Sequence, residues 1–493
     1  MLEAYCARRS HVAGDEVALH LSADAPRVNV TVVRDGRVPQ PVLSKDDLPA
    51  SRHALPADVV ANGCGWPVAW RFSVPESWAS GLYRIELSAG DERAEAFFVV
   101  RAARPRASIL WVLETNTWNA YNFYGGQSTY TSGDKAYASG APRVSFQRPL
   151  PPGFLSLPAD APRIGDLGPR DKILPYARWA LAHGYSPWTG AASWGQWGRR
   201  FQDWLEAEQL TVDYATNADL EEFPALLDGY RLMLSVGHDE YWSWGMRDTV
   251  EAFVARGGNV AFLSGNCSYW QVRLEQDYTQ MAAYKGAVDD DPVLGTARER
   301  HNTGIWSHRL TQRPENQMTG LSFTRGGYAR MAGATPGAAG GYTIYRPEHW
   351  ALAGTGLSYG DQLGAAHTLV GYETDGCEFQ FEYGRPKPTG ADGTPGNFEI
   401  IGIAPATLFS HDSAPRGLYP PGAMTDVEVV AEQVLGRHDA EAVQRFVHGH
   451  AVMGSYVSPG GGTVFSAGTT EWAYCLADPQ VARITRNLLT RLG

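Results

Sequence analysis

Residues 230–273, YRLMLSVGHDEYWSWGMRDTVEAFVARGGNVAFLSGNCSYWQVR, decide the fold of this chain. An apolar run at 232–236 stops at Gly237, and a second run at 260–263 leads into the polar sequence 264–267. A helical pattern with one apolar face lies between the two runs. Because a buried parallel strand is apolar throughout and needs a helical crossover, the stretch predicts a right-handed βαβ unit. Both polar loops then lie at the carboxyl ends of parallel strands, where open α/β sheets place their ligand sites.

The alternation of strands and helices begins earlier in the chain. A buried strand at 109–113 ends in the polar loop 115–122, and further strand and helix patterns follow. We therefore predict that residues 107–493 form an α/β domain with a doubly wound, mostly parallel sheet like that of amidotransferases. Sequence rich in Gly, Pro and aromatic residues predicts an irregular β-rich insertion at about 280–460. The Gly-, Pro- and Ser-rich segment 127–170 is typical of a lid or a binding loop.

The N-terminal region has a different pattern. Short alternating segments such as 17–22 and 28–32, separated by Gly, Pro, Asp and Ser, are typical of a β-sandwich. The sequence at 79–83, ASGLY, resembles the late strands of immunoglobulin-like accessory modules. We predict an Ig-like β-sandwich at 1–103, followed by a basic linker.

Composition restricts the classes of partner. With a formal net charge of -11, the chain lacks the basic balance that nucleic acid requires. No apolar run approaches the ~20 residues of a membrane helix, and charged residues interrupt the start of the chain where a signal peptide would be apolar. Five scattered cysteines without a CxxC pair favour a reducing compartment. We expect a cytoplasmic protein with neither a nucleic-acid nor a membrane partner.

Oxygen and nitrogen ligands gather at the predicted strand ends. The sequence His238-Asp239-Glu240-Tyr241 follows one strand, and Tyr214 ends another. Phenolate and carboxylate oxygens favour a hard, Lewis-acidic metal such as ferric iron. A phenol has a pKa near ~10, so a tyrosine ligand needs a strong cation to stay ionised at neutral pH. The candidate metal ligands are Tyr241, Tyr214, His301 and Glu299.

Other residues are candidates for substrate binding or catalysis. The aromatic and amide-rich loop 115–122 suits a small polar molecule, although packing in the interior explains the same residues equally well. Cys267 follows an apolar strand, as the nucleophile of amidotransferases does, but Tyr269 breaks the G-x-C-x-G pattern. Glu373 can act as a general base or pair with an arginine. Nucleotide motifs of the G-x-G-x-x-G and G-x-x-x-x-G-K-[ST] types are absent. The candidate substrate contacts are Trp118, Tyr121, Asn122 and Trp242.

Three phrases together resemble one family. Residues 117–126, TWNAYNFYGG, match a T-W-x-A-Y-N-x-x-G-G motif, and residues 237–242 read GHDEYW. The sequence 257–266 followed by YWQVR at 269–273 completes the pattern. The chain resembles the large (β) subunit of N,N-dimethylformamidase and its shorter relatives over most of residues 107–490.

The resemblance implies an amidohydrolase that uses one ferric iron held by two tyrosines and a glutamate. Tyr241 matches one tyrosine, and strand order assigns Tyr214 to the other. The glutamate position, just before the phrase 304–306, falls on His301, with Glu299 two residues away. Because of this departure, iron and a different first-row transition metal are both alternatives.

The implied mechanism is hydrolysis of a small amide or related C–N bond, with a metal-activated water attacking the carbonyl. His238 or Glu373 would move protons, and Asn266 and Asn122 would orient the amide. A cysteine-dependent amidohydrolase using Cys267 and a non-catalytic protein that binds a small ligand are the alternatives. Assembly into a homo-oligomer and the need for a small partner subunit, as in the formamidase, both stay open.

Overall fold

The structure is a computed structural model that describes residues 1–132, 135–136, 140–158, 160–165, 175–414, 418–419 and 422–493. The segment predicted as a lid or binding loop, 127–170, therefore lies partly outside the described residues. The described part of the chain holds no helix that is both long and apolar enough to span a membrane. All five cysteines lie in that part, and each is a buried free thiol.

The first hundred residues form two β-sheets that share one hydrophobic core. The strands are β1 Leu2–Cys6, β2 Ser10–His11, β3 Glu16–Ala23, β4 Arg27–Arg34, β5 Gln40–Pro49, β6 Val68–Ser73, β7 Gly81–Ala89 and β8 Glu92–Val100. One sheet has the order β1-β3-β6 and the other β2-β8-β7-β4-β5. Alternate residues, such as Val17 and Leu19 of β3, enter the shared core. The immunoglobulin-like assignment and the boundary at residue 103 stay predictions.

The rest of the chain builds a large mixed sheet and several small ones. Its strands are β9 Ile109–Leu113, β10 Thr131–Ser132, β11 Lys135–Ala136, β12 Arg143–Ser145, β13 Asp213–Thr216, β14 Leu232–His238, β15 Tyr241–Ser243, β16 Asn259–Gly265, β17 Trp270–Glu275, β18 Gln280–Ala282, β19 Ser322–Tyr328, β20 Tyr342–Ile344, β21 Gln362–Leu363, β22 Glu373–Gly376, β23 Phe379–Glu382, β24 Arg385–Pro388, β25 Glu399–Thr407, β26 His448–Val457 and β27 Thr463–Ser466. The large sheet has eleven strands in the order β13-β9-β14-β16-β27-β26-β25-β19-β22, with β20 and β21 attached beside β25.

The α-helices of the described part of the chain are 4 to 14 residues long. They are α1 Val59–Asn62, α2 Thr115–Tyr121, α3 Pro175–Ala182, α4 Arg199–Ala207, α5 Asp219–Glu222, α6 Trp244–Ala255, α7 Asn316–Thr319, α8 Asp426–Leu435, α9 Ala440–Gln444 and α10 Pro479–Leu492.

The βαβ unit predicted at residues 230–273 is present. Strands β14 and β16 pair in parallel, with Leu232 opposite Asn259 and His238 opposite Gly265. Helix α6 connects them and begins after Ser243, whose side chain accepts a hydrogen bond from the backbone N–H of Met246. This cap satisfies one of the free N–H groups of the first helical turn.

The prediction of a doubly wound, mostly parallel sheet is wrong. Strands β13, β9, β14, β16 and β27 are parallel, but β27, β26, β25, β19 and β22 pair antiparallel. The region 280–460 is the reason, because it supplies β19 to β22, β25 and β26 to this same sheet. Antiparallel neighbours need no helical crossover, so this half of the sheet is not wound with helices.

Asp35 joins the N-terminal sheets to the remainder of the chain. Its buried carboxylate accepts hydrogen bonds from Trp194 Nε1 at 2.6 Å, Arg199 at 2.9 Å and Arg84 Nε at 3.2 Å. Its backbone carbonyl accepts a further bond from Gln202 at 2.6 Å. One buried carboxylate therefore holds donors from both parts of the molecule.

We expect Asp35→Ala to lower the free energy of unfolding by about 3 kcal/mol, because it leaves the buried Arg84 Nε–H and Trp194 Nε1–H without their acceptor. Guanidinium unfolding followed by tryptophan fluorescence measures the change. Asp46→Asn, an exposed position in β5, is the matched control and should stay within about 0.5 kcal/mol of wild type. Equal stability of the two variants would contradict this role of Asp35.

Candidate active site

A cavity of about 250 Å³ opens beside the carboxyl ends of β14 and β16. Glu240 follows β14 by two residues, and Asn266 directly follows β16. Tyr121, at the end of α2, and Glu373, at the start of β22, bring further polar groups to the same cavity. Residues far apart in sequence therefore meet at one edge of the sheet.

Two tyrosine hydroxyls converge on the buried carboxylate of Glu240, which is 3% exposed. Tyr121 Oη donates to Oε2 at 3.1 Å, and Tyr130 Oη lies 2.9 Å from both carboxylate oxygens. Tyr241 Oη in turn donates to Tyr130 Oη at 2.7 Å. Burial raises the pKa of Glu240 and raises the pKa values of Tyr121 and Tyr241 well above their ordinary range. The phenols of Tyr121 and Tyr241 are therefore protonated donors in this arrangement.

His238 lies between carboxylates. Its Nδ1 donates to the carbonyl oxygen of Ala191 at 2.6 Å, which directs Nε2 towards Glu373 Oε2 at 2.7 Å and Glu240 Oε2 at 3.4 Å. Burial by itself would lower the pKa of His238, but the two carboxylates outweigh it and raise the pKa to about 9. The imidazole is therefore protonated at neutral pH, and its charge balances part of the buried negative charge.

Asn266 holds Glu373 from the other side. Its Nδ2 donates to Glu373 Oε2 at 3.0 Å, and no described residue donates to its buried Oδ1. The preceding residue, Gly265, approaches so closely that a Cβ there would lie 2.5 Å from the backbone nitrogen of Thr470. Only glycine fits this position, and the close approach brings the end of β16 against Glu373.

Lys285 adds a buried ammonium to the site. Its Nζ lies 3.0 Å from the ring centroid of Tyr130 and 4.9 Å from that of Trp270. Among the residues that the structure describes, none accepts a hydrogen bond from Nζ. Burial lowers the pKa of Lys285 to about 7, against the opposing effect of Glu240. The lysine can therefore change its protonation state near neutral pH beside the carboxylate cluster.

The predicted metal ligands are not brought together. Tyr241 lies in the site, but Tyr214 packs its ring 5.3 Å from Trp111 in the core. The charged groups that influence the pKa of Tyr214 are Arg34, Glu206 and Asp35, whereas the Tyr241 hydroxyl faces Tyr130 and Thr129. The Tyr214 phenol therefore packs in the core, whereas the Tyr241 phenol belongs to the hydrogen-bond network of the candidate site.

The remaining two predicted ligands lie outside the cavity. The ring centroid of His301 lies 4.5 Å from that of Trp244, and Glu299 is exposed in the same short helical turn. Neither side chain lines the cavity. The structure thus places Tyr241, Tyr214, His301 and Glu299 in different surroundings rather than around one cavity.

Of the four predicted substrate contacts, Tyr121 alone lines the cavity. Trp118 and Asn122 line a separate small cavity next to the N-terminal sheets. Asn122 Nδ2 donates to the carbonyl of Pro149 at 3.0 Å, and Trp242 Nε1 donates to Asp239 Oδ1 at 3.0 Å. None of these three side chains lines the cavity of the candidate site.

Cys267 is not arranged as a nucleophile. Its Sγ lies 3.0 Å from Ser264 Oγ, and its backbone N–H donates to Asp375 Oδ2 at 3.1 Å. Burial raises the pKa of the thiol well above its ordinary value, and His238 makes its bonds to Ala191 and Glu373 instead. A protonated thiol without a base is not activated for attack.

Sequence reasoning missed Tyr130 and Lys285, and it left Glu240 without an assigned role. Tyr130 lies in an irregular segment, and Lys285 is a single lysine without a recognisable motif. For Glu240 a signal existed, since it occupies the central position of the strand-end sequence His238-Asp239-Glu240-Tyr241.

Comparison with known proteins assigns the family. The N,N-dimethylformamidase beta subunits of Alcaligenes sp. and of Paracoccus aminophilus are each 36% identical to this chain over 76 residues. That stretch is 15% of this chain and 10% of each relative, so the chain matches only a small part of their length. A family model described as N,N-dimethylformamidase beta subunit-like, C-terminal, matches residues 28–485. Since this match spans most of the sequence, the chain belongs to the N,N-dimethylformamidase beta subunit-like family.

Proposed function

We propose that this protein is a metal-dependent hydrolase of an amide or related C–N bond, and that Tyr121, Tyr130 and Glu240 hold the metal. The observation that carries the proposal is the convergence of two phenol hydroxyls, within 3.1 Å, on one buried carboxylate. Two tyrosines and one glutamate are also the ligand set that the family resemblance implies. The formamidase name of the relatives supports an amide as the substrate.

The donor set suits a hard cation. Phenolate and carboxylate oxygens bind ferric iron and similar Lewis-acidic metals, and a cation lowers the pKa of a phenol that it contacts. In the part of the chain that is described, no three His, Cys, Asp or Glu side chains are placed to hold a metal. The phenols of Tyr121 and Tyr130 are therefore needed to complete a set around Glu240.

Amide hydrolysis adds water across the C–N bond. The water oxygen bonds to the carbonyl carbon, the C–N bond breaks, and the nitrogen leaves with a proton. When bound, a Lewis-acidic cation supplies polarisation of the carbonyl. The chain must then supply a group that accepts a proton from water and one that returns a proton to nitrogen.

Glu373 and His238 are placed for this proton transfer. We assign Glu373 as the base that accepts the water proton, because this residue lines the cavity and its Oε2 lies 2.7 Å from His238 Nε2. His238 can donate from Nε2 to the leaving nitrogen, while the Ala191 carbonyl keeps its ring fixed. Asn266 orients the Glu373 carboxylate and offers its Oδ1 to a substrate donor.

Purified wild-type protein should contain a bound transition metal and show a tyrosinate-to-metal charge-transfer band if the metal is ferric iron. Because each change removes one ligand, Tyr130→Phe and Glu240→Gln should weaken metal binding by about tenfold or more. Elemental analysis and visible absorption spectra measure both effects. Tyr214→Phe is the matched control and should keep the metal. Wild type without a transition metal, or loss of metal in the Tyr214 variant alone, would sink the assignment.

Glu373→Gln should reduce amine release from a hydrolysed formamide by about 10²-fold, because it removes the proton acceptor. The metal content should stay at the wild-type level, since Glu373 is not among the proposed ligands. Assay of amine release alongside elemental analysis separates the two effects. Unchanged hydrolysis in this variant would exclude Glu373 as the base.

Cys267→Ala should keep hydrolysis within a few-fold of wild type, because the thiol is protonated and does not contact His238. The same amine-release assay applies. Abolished hydrolysis in a folded Cys267→Ala protein would instead favour the cysteine-dependent alternative.

A further inference from the structure

The cavity is larger than the smallest amides require. Its volume is about 250 Å³, whereas a cavity of about 150 Å³ accommodates a molecule the size of benzene. N,N-dimethylformamide has fewer non-hydrogen atoms than benzene and would leave much of the space to water. The volume corresponds to a ligand of roughly ten non-hydrogen atoms on the same scale.

One wall of the cavity is apolar and aromatic. Its rings pack edge to face, with Phe323 and Tyr328 centroids 5.5 Å apart and Tyr269 at 5.0 Å from Phe323. This arrangement presents a preformed surface to a ligand rather than a set of loose side chains. The wall, which we call the aromatic wall, consists of Tyr269, Phe323, Tyr328, Met331, Leu418, Met424 and Val429.

Asp426, the first residue of α8, stands beside the aromatic wall and also lines the cavity. Its backbone N–H donates to Tyr419 Oη at 3.2 Å. Its side-chain Oδ2 is buried, and nothing in the described ranges donates a hydrogen bond to it. Burial raises the pKa of Asp426 to about 7, although side-chain hydrogen bonds with Tyr419 and Tyr328 act in the opposite direction. An unsatisfied buried carboxylate oxygen is unfavourable, and each one in a folded protein calls for a partner.

We propose that the substrate is an amide larger than N,N-dimethylformamide, with an aromatic or branched apolar group against the aromatic wall and an N–H that donates to Asp426 Oδ2. The inference rests on the proposed function for its amide bond. It follows from the match between an apolar surface, an acceptor without a donor, and a volume of roughly ten non-hydrogen atoms. N,N-dimethylformamide has no N–H to donate to Asp426 Oδ2 and no large apolar group to pack against the aromatic wall.

Three probes separate these features. N-benzylformamide carries the aromatic group and the N–H, N-benzyl-N-methylformamide carries the aromatic group alone, and N,N-dimethylformamide carries neither. Calorimetric titration of the metal-loaded protein measures binding of each probe, and release of formate measures hydrolysis. Binding and chemistry are thereby recorded independently.

We expect N-benzylformamide to bind at least about tenfold more tightly than either of the other probes, the effect of one charge-assisted hydrogen bond. Asp426→Ala should remove the preference for N–H over N-methyl and leave binding of N-benzyl-N-methylformamide unchanged. Val429→Phe, which fills space at the wall, should weaken both benzyl probes about tenfold and spare N,N-dimethylformamide. Asp46→Asn is the control for charge and should match wild type.

Equal binding of the three probes, binding of none, or an equal loss of both benzyl probes in Asp426→Ala would overturn this substrate class. The expected binding pattern without formate release would support the recognition and contradict the hydrolase proposal. Formate release from N,N-dimethylformamide as fast as from N-benzylformamide would support the hydrolase proposal and contradict the proposed recognition of a larger substrate.

Discussion

Burial of the Glu240 carboxylate is the constraint on which the site depends. A charge in the interior is unfavourable unless donors or cations surround it. Here the phenols of Tyr121 and Tyr130 donate to it, and the protonated His238 stands 3.4 Å away. His238 is itself fixed by the Ala191 carbonyl and by Glu373. Under the proposed function, a cation would replace the phenol protons and bind the same oxygens.

The spacing of apolar residues in the sequence was sufficient to predict the βαβ unit but not the strand directions of the whole sheet. The apolar runs of β14 and β16 and the apolar face of α6 identify a parallel pair with a crossover. Strand direction in the region 280–460 has no comparable signal, because Gly326 and Gly327 interrupt β19, and Gly402 and Pro405 interrupt β25. Its antiparallel addition to the large sheet is a tertiary result that the local pattern does not contain.

The sequence pointed to those residues of the candidate site that lie at strand ends, and it did not point to those from distant parts of the chain; the roles of all of them stay predictions. His238, Asn266 and Glu373 all lie at strand ends or starts and are in the cavity cluster. Tyr214 and Tyr241 are not on neighbouring strands, as the sequence interpretation assumed, because β9 lies between β13 and β14 in the sheet. Tyr130 lies in an irregular segment that has no repeating apolar pattern, so its position depends on tertiary packing that the local sequence does not reveal.

The most direct test of this account is a crystal structure of the metal-loaded protein with anomalous diffraction measured at the iron absorption edge, or at that of the metal found by elemental analysis. The account predicts one strong anomalous peak within bonding distance of Tyr121 Oη, Tyr130 Oη and the Glu240 carboxylate. A peak elsewhere, such as beside Tyr214 or His301, or no peak in protein that elemental analysis shows to be loaded, would contradict it.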